Sequence, residues 1–158
     1  MTRTRSEYLL PSLHLDHLPP ARPDARPVDA TDRDALAELL LAAYRGTIDD
    51  EGEELPEAFD AIDHYLGCIV LPHSFVTADH LGLTAMSFVV VVNGRHYIDP
   101  VATHPRAKRT GVGRGVVATS LRSLAAAGVG EVGATITDGN TPSERLFASL
   151  GFERSGAW

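Results

Sequence analysis

Gly111, Gly113 and Gly115 lie in the stretch VATHPRAKRTGVGRGVV, Val101 to Val117. A strand-like run ends near Thr103, a short basic loop follows, and the pattern then turns helical. Such an arrangement can hold a phosphate. Glycine has no Cβ, so the backbone can approach a ligand closely. The first N–H groups of a helix lack internal partners and point at the ligand. Arg106, Lys108, Arg109 and Arg114 add positive charge where those amides point. The chemistry on offer is anion binding, and the loop by itself leaves the anion open.

Three familiar phosphate loops do not match. No window has the P-loop spacing G-x-x-x-x-G-K-[ST]. The dinucleotide fingerprint G-x-G-x-x-G fails because Val116 stands at the third glycine, and the stretch lies too late in the chain. A kinase glycine loop fails on spacing and on chain length. K-R-T-G-V-G, Lys108 to Gly113, instead resembles the [Q/R]-x-x-G-x-[G/A] loop of the GCN5-related N-acetyltransferases, the GNAT family. Lys108 replaces the usual Gln or Arg, and Pro105 upstream is usual there as well. Near the C-terminus, Asn140 followed by TPSERLFASLGF is similar to the family's N-x-x-[A/S]-x-x-x-[Y/F]-x-x-x-G-F segment. The two segments come in the family's order, and the resemblance covers the chain from about Arg26 onward.

The resemblance implies an α/β fold: a mixed sheet of six or seven strands with helices on both faces. Two central strands would splay to hold acetyl-CoA. Val101, Ala102 and Thr103 would pair with pantetheine through their backbone. The amides of Arg109, Thr110, Gly111, Val112, Gly113 and Arg114 would wrap the pyrophosphate, with Lys108 beside them. Asn140 would contact the pantetheine arm. The implied activity is acetyl transfer from acetyl-CoA to a primary amine on a small molecule or peptide.

That chemistry has three needs. An alkylamine, with a pKa of about 10.4 in water, must lose a proton. The oxyanion needs a donor, which a backbone N–H can supply. The leaving thiolate needs a proton or a stabilising donor. Base candidates are Asp99, Glu53, Glu54 and His80, and Asp99 is favoured because it precedes the pantetheine-pairing stretch. A Tyr usually stands near the CoA sulfur in this family, and here that position is Phe147, which has no proton to give. Ser143, one helical turn earlier, could donate through water; a Ser at a helix start also commonly bonds its own backbone. Phe147 is equally the main support for an alternative, an acyl-CoA-binding module without turnover.

Asp49, Asp50, Glu51, Glu53 and Glu54 crowd the segment after the first helical stretch. A solvated acidic loop is the plain reading of such a run. By the resemblance, that segment borders the acceptor site, where it would form a mouth for a cationic amine. Tyr97 shares a face with Asp99, Val101 and Thr103 on period-two alternation, if no bulge intervenes, and is read as a residue of the acceptor site, with a core residue as the alternative.

These residues need positioning elements. Asp34 to Tyr44 places Leu36, Leu39, Leu40 and Ala43 on one helical face, with Thr31 or Asp32 as cap. Pro56 to Leu66 reads as a second helix stopped by Gly67. Ser74 to Ala78, Leu83 to Val92 and Arg95 to Thr103 read as strands. Asn93-Gly94 is a hairpin signal. Val112 to Ala127 is a helix, Glu131 to Thr137 a strand, and Thr141 caps a last helix before a short strand from Phe152. Ser12 to Leu18 could be an edge strand. Residues 1–25 lie outside the resemblance and are expected to be an extended or mobile extension to a domain at 26–158.

With 158 residues the chain is one domain by size. The net charge of −7 argues against a nucleic-acid surface and makes the basic loop stand out. The longest apolar run, Met86 to Val92, is too short to span a membrane. The start carries no signal-peptide pattern. One cysteine, Cys68, excludes an internal disulfide and suits a reducing compartment, so a cytoplasmic location is expected. A buried Cys68 is expected as well. No metal-ligand spacing is present, and a homodimer is common for the resembled fold.

Overall fold

The computed structural model describes residues 3–158. Seven strands form one sheet: β1 (Arg5–Leu10), β2 (Arg26–Pro27), β3 (Phe75–Asp79), β4 (Gly82–Val92), β5 (Arg95–Thr103), β6 (Val132–Thr137) and β7 (Glu153–Ala157). Their order is β2-β3-β4-β5-β6-β1-β7. Four helices cover it: α1 (Arg33–Tyr44), α2 (Leu55–Leu66), α3 (Val112–Ala126) and α4 (Thr141–Ser149). Leu36, Leu39, Leu40 and Ala43 are buried, as their spacing predicts, and pack with Ile62 of α2 against Met86 and Phe88 of β4. On the other face Val117, Leu121 and Leu124 of α3 and Phe147 of α4 pack on Val89, Ile98 and Val132. Both faces of β4 and β5 are thus covered, which explains the near-continuous apolar run in β4. Asn93 and Gly94 both take positive φ, 50° and 79°, as a two-residue hairpin turn requires.

The N-terminal stretch is not an appendage. β1 lies inside the sheet, antiparallel to β6 over six residue pairs from Arg5↔Thr137 to Leu10↔Val132, and antiparallel to β7 on its other side. Ser12 to Leu18 is not an edge strand; it contains a 3-10 turn at Leu15–His17. Pro11 before it and Pro19 and Pro20 after it have no N–H to give a ladder.

β5 and β6 run parallel but pair only at Tyr97↔Gly133 and Ile98↔Ala134. Beyond these pairs the strands part. β6 keeps its backbone bonds on the β1 side, so β1 holds β6 in place where β5 leaves it. β5 also carries a bulge: Ser87 faces Val101 while Val89 faces Ile98, so Phe88 opposes both Asp99 and Pro100. Tyr97 therefore does not share one continuous face with Val101 and Thr103.

Gly133 backs directly onto the Tyr97 ring, where a Cβ would collide with ring carbons. Gly133→Ala should cost about 1–3 kcal/mol in urea unfolding, since the ring is confined and cannot yield. Arg26 grips Asp32 with two bonds of 2.8 and 2.7 Å, tying β2 to the start of α1. The Arg26 hydrogen bonds pull the Asp32 carboxyl below its ordinary range, burial opposes them, and the Asp29 amide helps. A lowered carboxyl pKa gives stability that is present above the unfolded value and lost as pH falls through the folded one. Asp32→Asn should cost about 1–2 kcal/mol at pH 7, because Arg26 is half exposed, and less below about pH 4.

Among the described residues no helix is long and apolar enough to cross a membrane. Nor do three or more His, Cys, Asp or Glu side chains converge there as metal ligands.

Candidate active site

Where β5 and β6 part, a cleft of about 1490 Å³ opens. Asp99, Val101, Ala102 and Thr103 line one wall and Thr135, Ile136 and Thr137 the other. The backbone edge of β5 beyond Ile98 has no strand partner on this side. Unpaired backbone groups in a cleft need a partner, and an extended polar ligand can supply it.

The glycine loop lies at the mouth. Gly111 caps α3 with φ 85° and ψ 0°, a left-handed conformation natural to glycine. Arg109 also has positive φ, 65°. The amide of Gly115 makes the first helical bond, to Gly111 O at 2.9 Å. The six preceding amides, from Arg109 to Arg114, donate to no backbone acceptor among the described residues. A row of free N–H groups at a helix start is a ready anion cradle. Gly113 lies so close to β5 that a Cβ would stand 2.8 Å from Thr103 Oγ1. The loop is thereby pinned to the cleft wall.

The basic side chains divide. Arg109 lines the cleft with no hydrogen bond to the described residues, and so does Arg145 of α4, which sequence reading missed. Lys108 donates to Ala43 O at 3.3 Å and Arg114 to Ser149 Oγ at 3.0 Å, both still lining the cleft. Arg106 does not line the cleft and is held by Asp79 through two bonds of 3.0 Å. Thr110 and Val112 do not line the cleft; the Thr110 hydroxyl bonds Ala107 O and Val112 is buried. Their amides remain in the row.

Asn140, rather than Thr141, is the cap of α4. Its Oδ1 accepts from the Ser143 amide at 3.3 Å, and its Nδ2 donates to Asp49 at 3.0 Å. Both ends of its side chain are thus engaged. Ser143 lines the cleft, and its hydroxyl bonds no described residue. Phe147 also lines the cleft and meets Phe152 edge-on at 5.0 Å.

The acidic loop between α1 and α2 folds over the other end, and its carboxylates are largely occupied. Asp49 accepts from Thr137 Oγ1 at 2.6 Å as well as from Asn140, which fastens the loop to the β6–α4 turn. Asp50 does not line the cleft; it caps the loop by accepting from the Gly46 and Gly52 amides. Glu51 takes Arg3 at 2.9 Å and Glu53 accepts from the Glu51 amide, both at the rim. Glu54 starts α2 and His80 sits in the β3–β4 turn, away from the cleft. Tyr97 is also elsewhere: its hydroxyl donates to Glu7 at 2.6 Å and its ring meets Trp158. Cys68 is exposed, not buried.

Asp99 stands deep in the cleft, its side chain keeping 24% of its exposure. Burial pushes its carboxyl above the ordinary range; Arg5 opposes this and the Asp49 charge adds to it. Arg5 reaches in from β1, donating to Thr135 O at 3.2 Å and approaching Asp99 Oδ1 at 3.5 Å. Tyr44 and Tyr65, at the ends of α1 and α2, complete this part of the wall. Burial and the Asp99 charge push the Tyr65 phenol up to about 12 and raise Tyr44 as well. Both stay neutral at physiological pH. The place therefore offers one partly buried carboxylate of raised pKa beside neutral phenols and a guanidinium, which suits proton transfer from a bound group.

The acetyltransferase (GNAT) family model matches residues 33–152. No curated protein sequence matches the chain significantly. Among solved structures, a GCN5-related N-acetyltransferase of Sphaerobacter thermophilus superposes with a TM-score of 0.70 at 14% identity, over 99% of this chain and 50% of that one. A ribosomal-protein alanine N-acetyltransferase of Escherichia coli gives 0.66 at 18% identity, over 83% and 77%. A GNAT family acetyltransferase of Brucella melitensis, in complex with acetyl-CoA, gives 0.54 at 20% identity, over 66% and 69%. At these identities the likeness is one of fold. The chain spans half the length of the Sphaerobacter protein.

Proposed function

This chain belongs to the GNAT acetyltransferase family, and from that we propose that it transfers the acetyl group of acetyl-CoA to a primary amine. One observation carries the reading: the parting of β5 and β6 opens onto the row of free amides from Arg109 to Arg114. A long ligand with a pyrophosphate at one end and amide groups along its arm matches both features. The loop amides hold the pyrophosphate, with Arg109 and Arg145 supplying charge. Val101 and Thr103 present backbone groups to the arm. Asn140 acts by anchoring Asp49 and capping α4, which shapes the wall the arm lies against.

Asp99 takes the proton from the bound ammonium. Its raised pKa makes it a stronger base than an ordinary Asp, though still far below the amine's value in water, so an apolar pocket must also lower the amine's pKa. Ser143 supplies a hydroxyl on the α4 side, where a water can carry its proton to the departing sulfur. Phe147 cannot do so. If loss of the thiolate limits the rate, Phe147→Tyr should raise kcat about tenfold, read as CoA release, provided the variant unfolds at an unchanged temperature.

A second reading rests on that same Phe147: a cleft that binds acyl-CoA for sensing, without turnover. A turnover assay separates the two. Acetyl-CoA consumption with any member of a panel of amino acids, polyamines, aminoglycosides and lysine peptides supports the enzyme. Saturable acetyl-CoA binding with no consumption across the panel supports the sensor.

A further inference from the structure

We propose that the amine acceptor carries a carboxylate, and that Arg5 is the residue that selects it. The proposal rests on the acetyltransferase reading of the cleft and names the acceptor class within it: a small amino carboxylate, such as an α-amino acid, rather than a polyamine.

The acidic-loop carboxylates are held in place by the protein's own hydrogen bonds, and Glu53 at the rim accepts the Glu51 amide. Asp49 serves Thr137 and Asn140, Asp50 serves two backbone amides, and Glu51 serves Arg3. What remains deep in the cleft is Asp99 with Arg5 beside it. Arg5 is poorly satisfied for a guanidinium: one bond to a carbonyl at 3.2 Å, one contact with Asp99 at 3.5 Å, and a buried Nε with no partner. A guanidinium has five N–H donors in a planar fork that matches a carboxylate edge. Both existing contacts of Arg5 use the same Nη, and the side chain keeps 39% of its exposure, so the other Nη, which bonds no described residue, can donate to a ligand carboxylate. Asp99 and Arg5 lie in contact, so their natural guest has an ammonium and a carboxylate a few bonds apart. Tyr44 and Tyr65 offer aromatic walls to the carbon skeleton between or beyond them.

The reaction on such a guest balances. The ammonium gives one proton to Asp99. The amine lone pair forms the C–N bond to the acetyl carbon, the C–S bond breaks, and its electron pair leaves on sulfur. Nitrogen loses a second proton as the amide forms, and the thiolate takes one proton. The products are an N-acetyl amino carboxylate, CoA thiol and one proton released to solvent.

The test uses matched pairs, each α-amino acid against its α-amide, which keeps the amine and removes the negative charge. For acids that are turned over, wild-type kcat/KM should exceed that of the amide by about 10- to 100-fold. Arg5→Met should bring that ratio close to one, and Arg5→Lys, which keeps charge but loses the fork, should leave an intermediate ratio. A merely structural role for Arg5 would lower both members of a pair equally and leave the ratio intact. Amides used as well as acids by the wild type, or a ratio unchanged in folded Arg5→Met, would overturn the proposal. If no amine is acetylated, the same pairs are titrated calorimetrically into the CoA-bound protein; binding of acids over amides, lost in Arg5→Met, supports it, and its absence overturns it. Failure of the underlying reading shows separately, as absence of acetyl-CoA binding.

Discussion

Gly111→Glu should abolish acetyl-CoA binding in a protein that still folds. Two effects act on the two properties separately. Gly111 has φ 85°, so any side chain there costs about 1–2 kcal/mol of backbone strain. Nothing lies within 4 Å of a Cβ at this position, so no clash adds to that cost. Domains of this size are commonly stable by about 5–15 kcal/mol, and the variant should remain folded. Binding suffers far more. The new carboxylate sits among the six free amides and can accept from them in place of a phosphate. A negative charge about 5 Å from one phosphate charge costs roughly 3 kcal/mol at an effective dielectric of about 20, already more than 100-fold in affinity, and pyrophosphate carries more than one charge. Gly111→Ala, with strain and no charge, should lose much less. Equal acetyl-CoA affinity in wild type and folded Gly111→Glu, measured by calorimetry, would remove the loop from the site.

Asp99→Asn should lower kcat by about 10²- to 10⁴-fold while leaving the fold as stable as before or more so. The catalytic half follows from the loss of the base. In the wild type kcat/KM should rise with pH as Asp99 ionises, along a limb whose apparent pKa lies above the ordinary Asp value of about 3.9. The variant should lack this limb. The stability half follows from the direction of the shift. A carboxyl whose folded pKa is raised contributes stability below its unfolded value and loses it as pH rises through the folded one. At neutral pH the wild type thus carries a desolvated charge that the 3.5 Å Arg5 contact only partly offsets. Asn removes that charge, so the variant's Tm should equal or exceed the wild type's at pH 7, and the difference should close below about pH 4. An unaltered pH–rate profile would exclude Asp99 as the base.

The parts legible in the sequence were the local ones. The glycine loop, the α1 face, the Asn93-Gly94 turn and the β4 run are each decided within a few residues of chain, by φ preference or by burial period. β1 was not legible because its partners, Val132–Thr137 and Glu153–Ala157, lie more than a hundred residues away. A charged stretch with a few leucines looks like an extension until those partners are known. Arg3 and Arg5 were missed with it, and Arg5 is the guanidinium nearest Asp99. The face of Tyr97 was lost to the bulge at Asp99 and Pro100, which shifts the side-chain parity along β5. The acidic loop shows the limit of reading charge runs: composition gave five carboxylates, but only geometry shows that Asp49, Asp50 and Glu51 hold the loop together. Asn140 lines the cleft, as its assignment to the ligand requires, while its side chain also caps α4 and holds Asp49, links that only the folded chain reveals.

The most direct measurement is a calorimetric titration of the protein with acetyl-CoA, with NADH and dephospho-CoA as controls. Saturable one-to-one binding of acetyl-CoA, absent for NADH and lost in Gly111→Glu, is the expected result. No heat of binding with acetyl-CoA, or equal binding of NADH, would contradict the assignment of the cleft between β5 and β6, and the proposed transferase activity would fall with it.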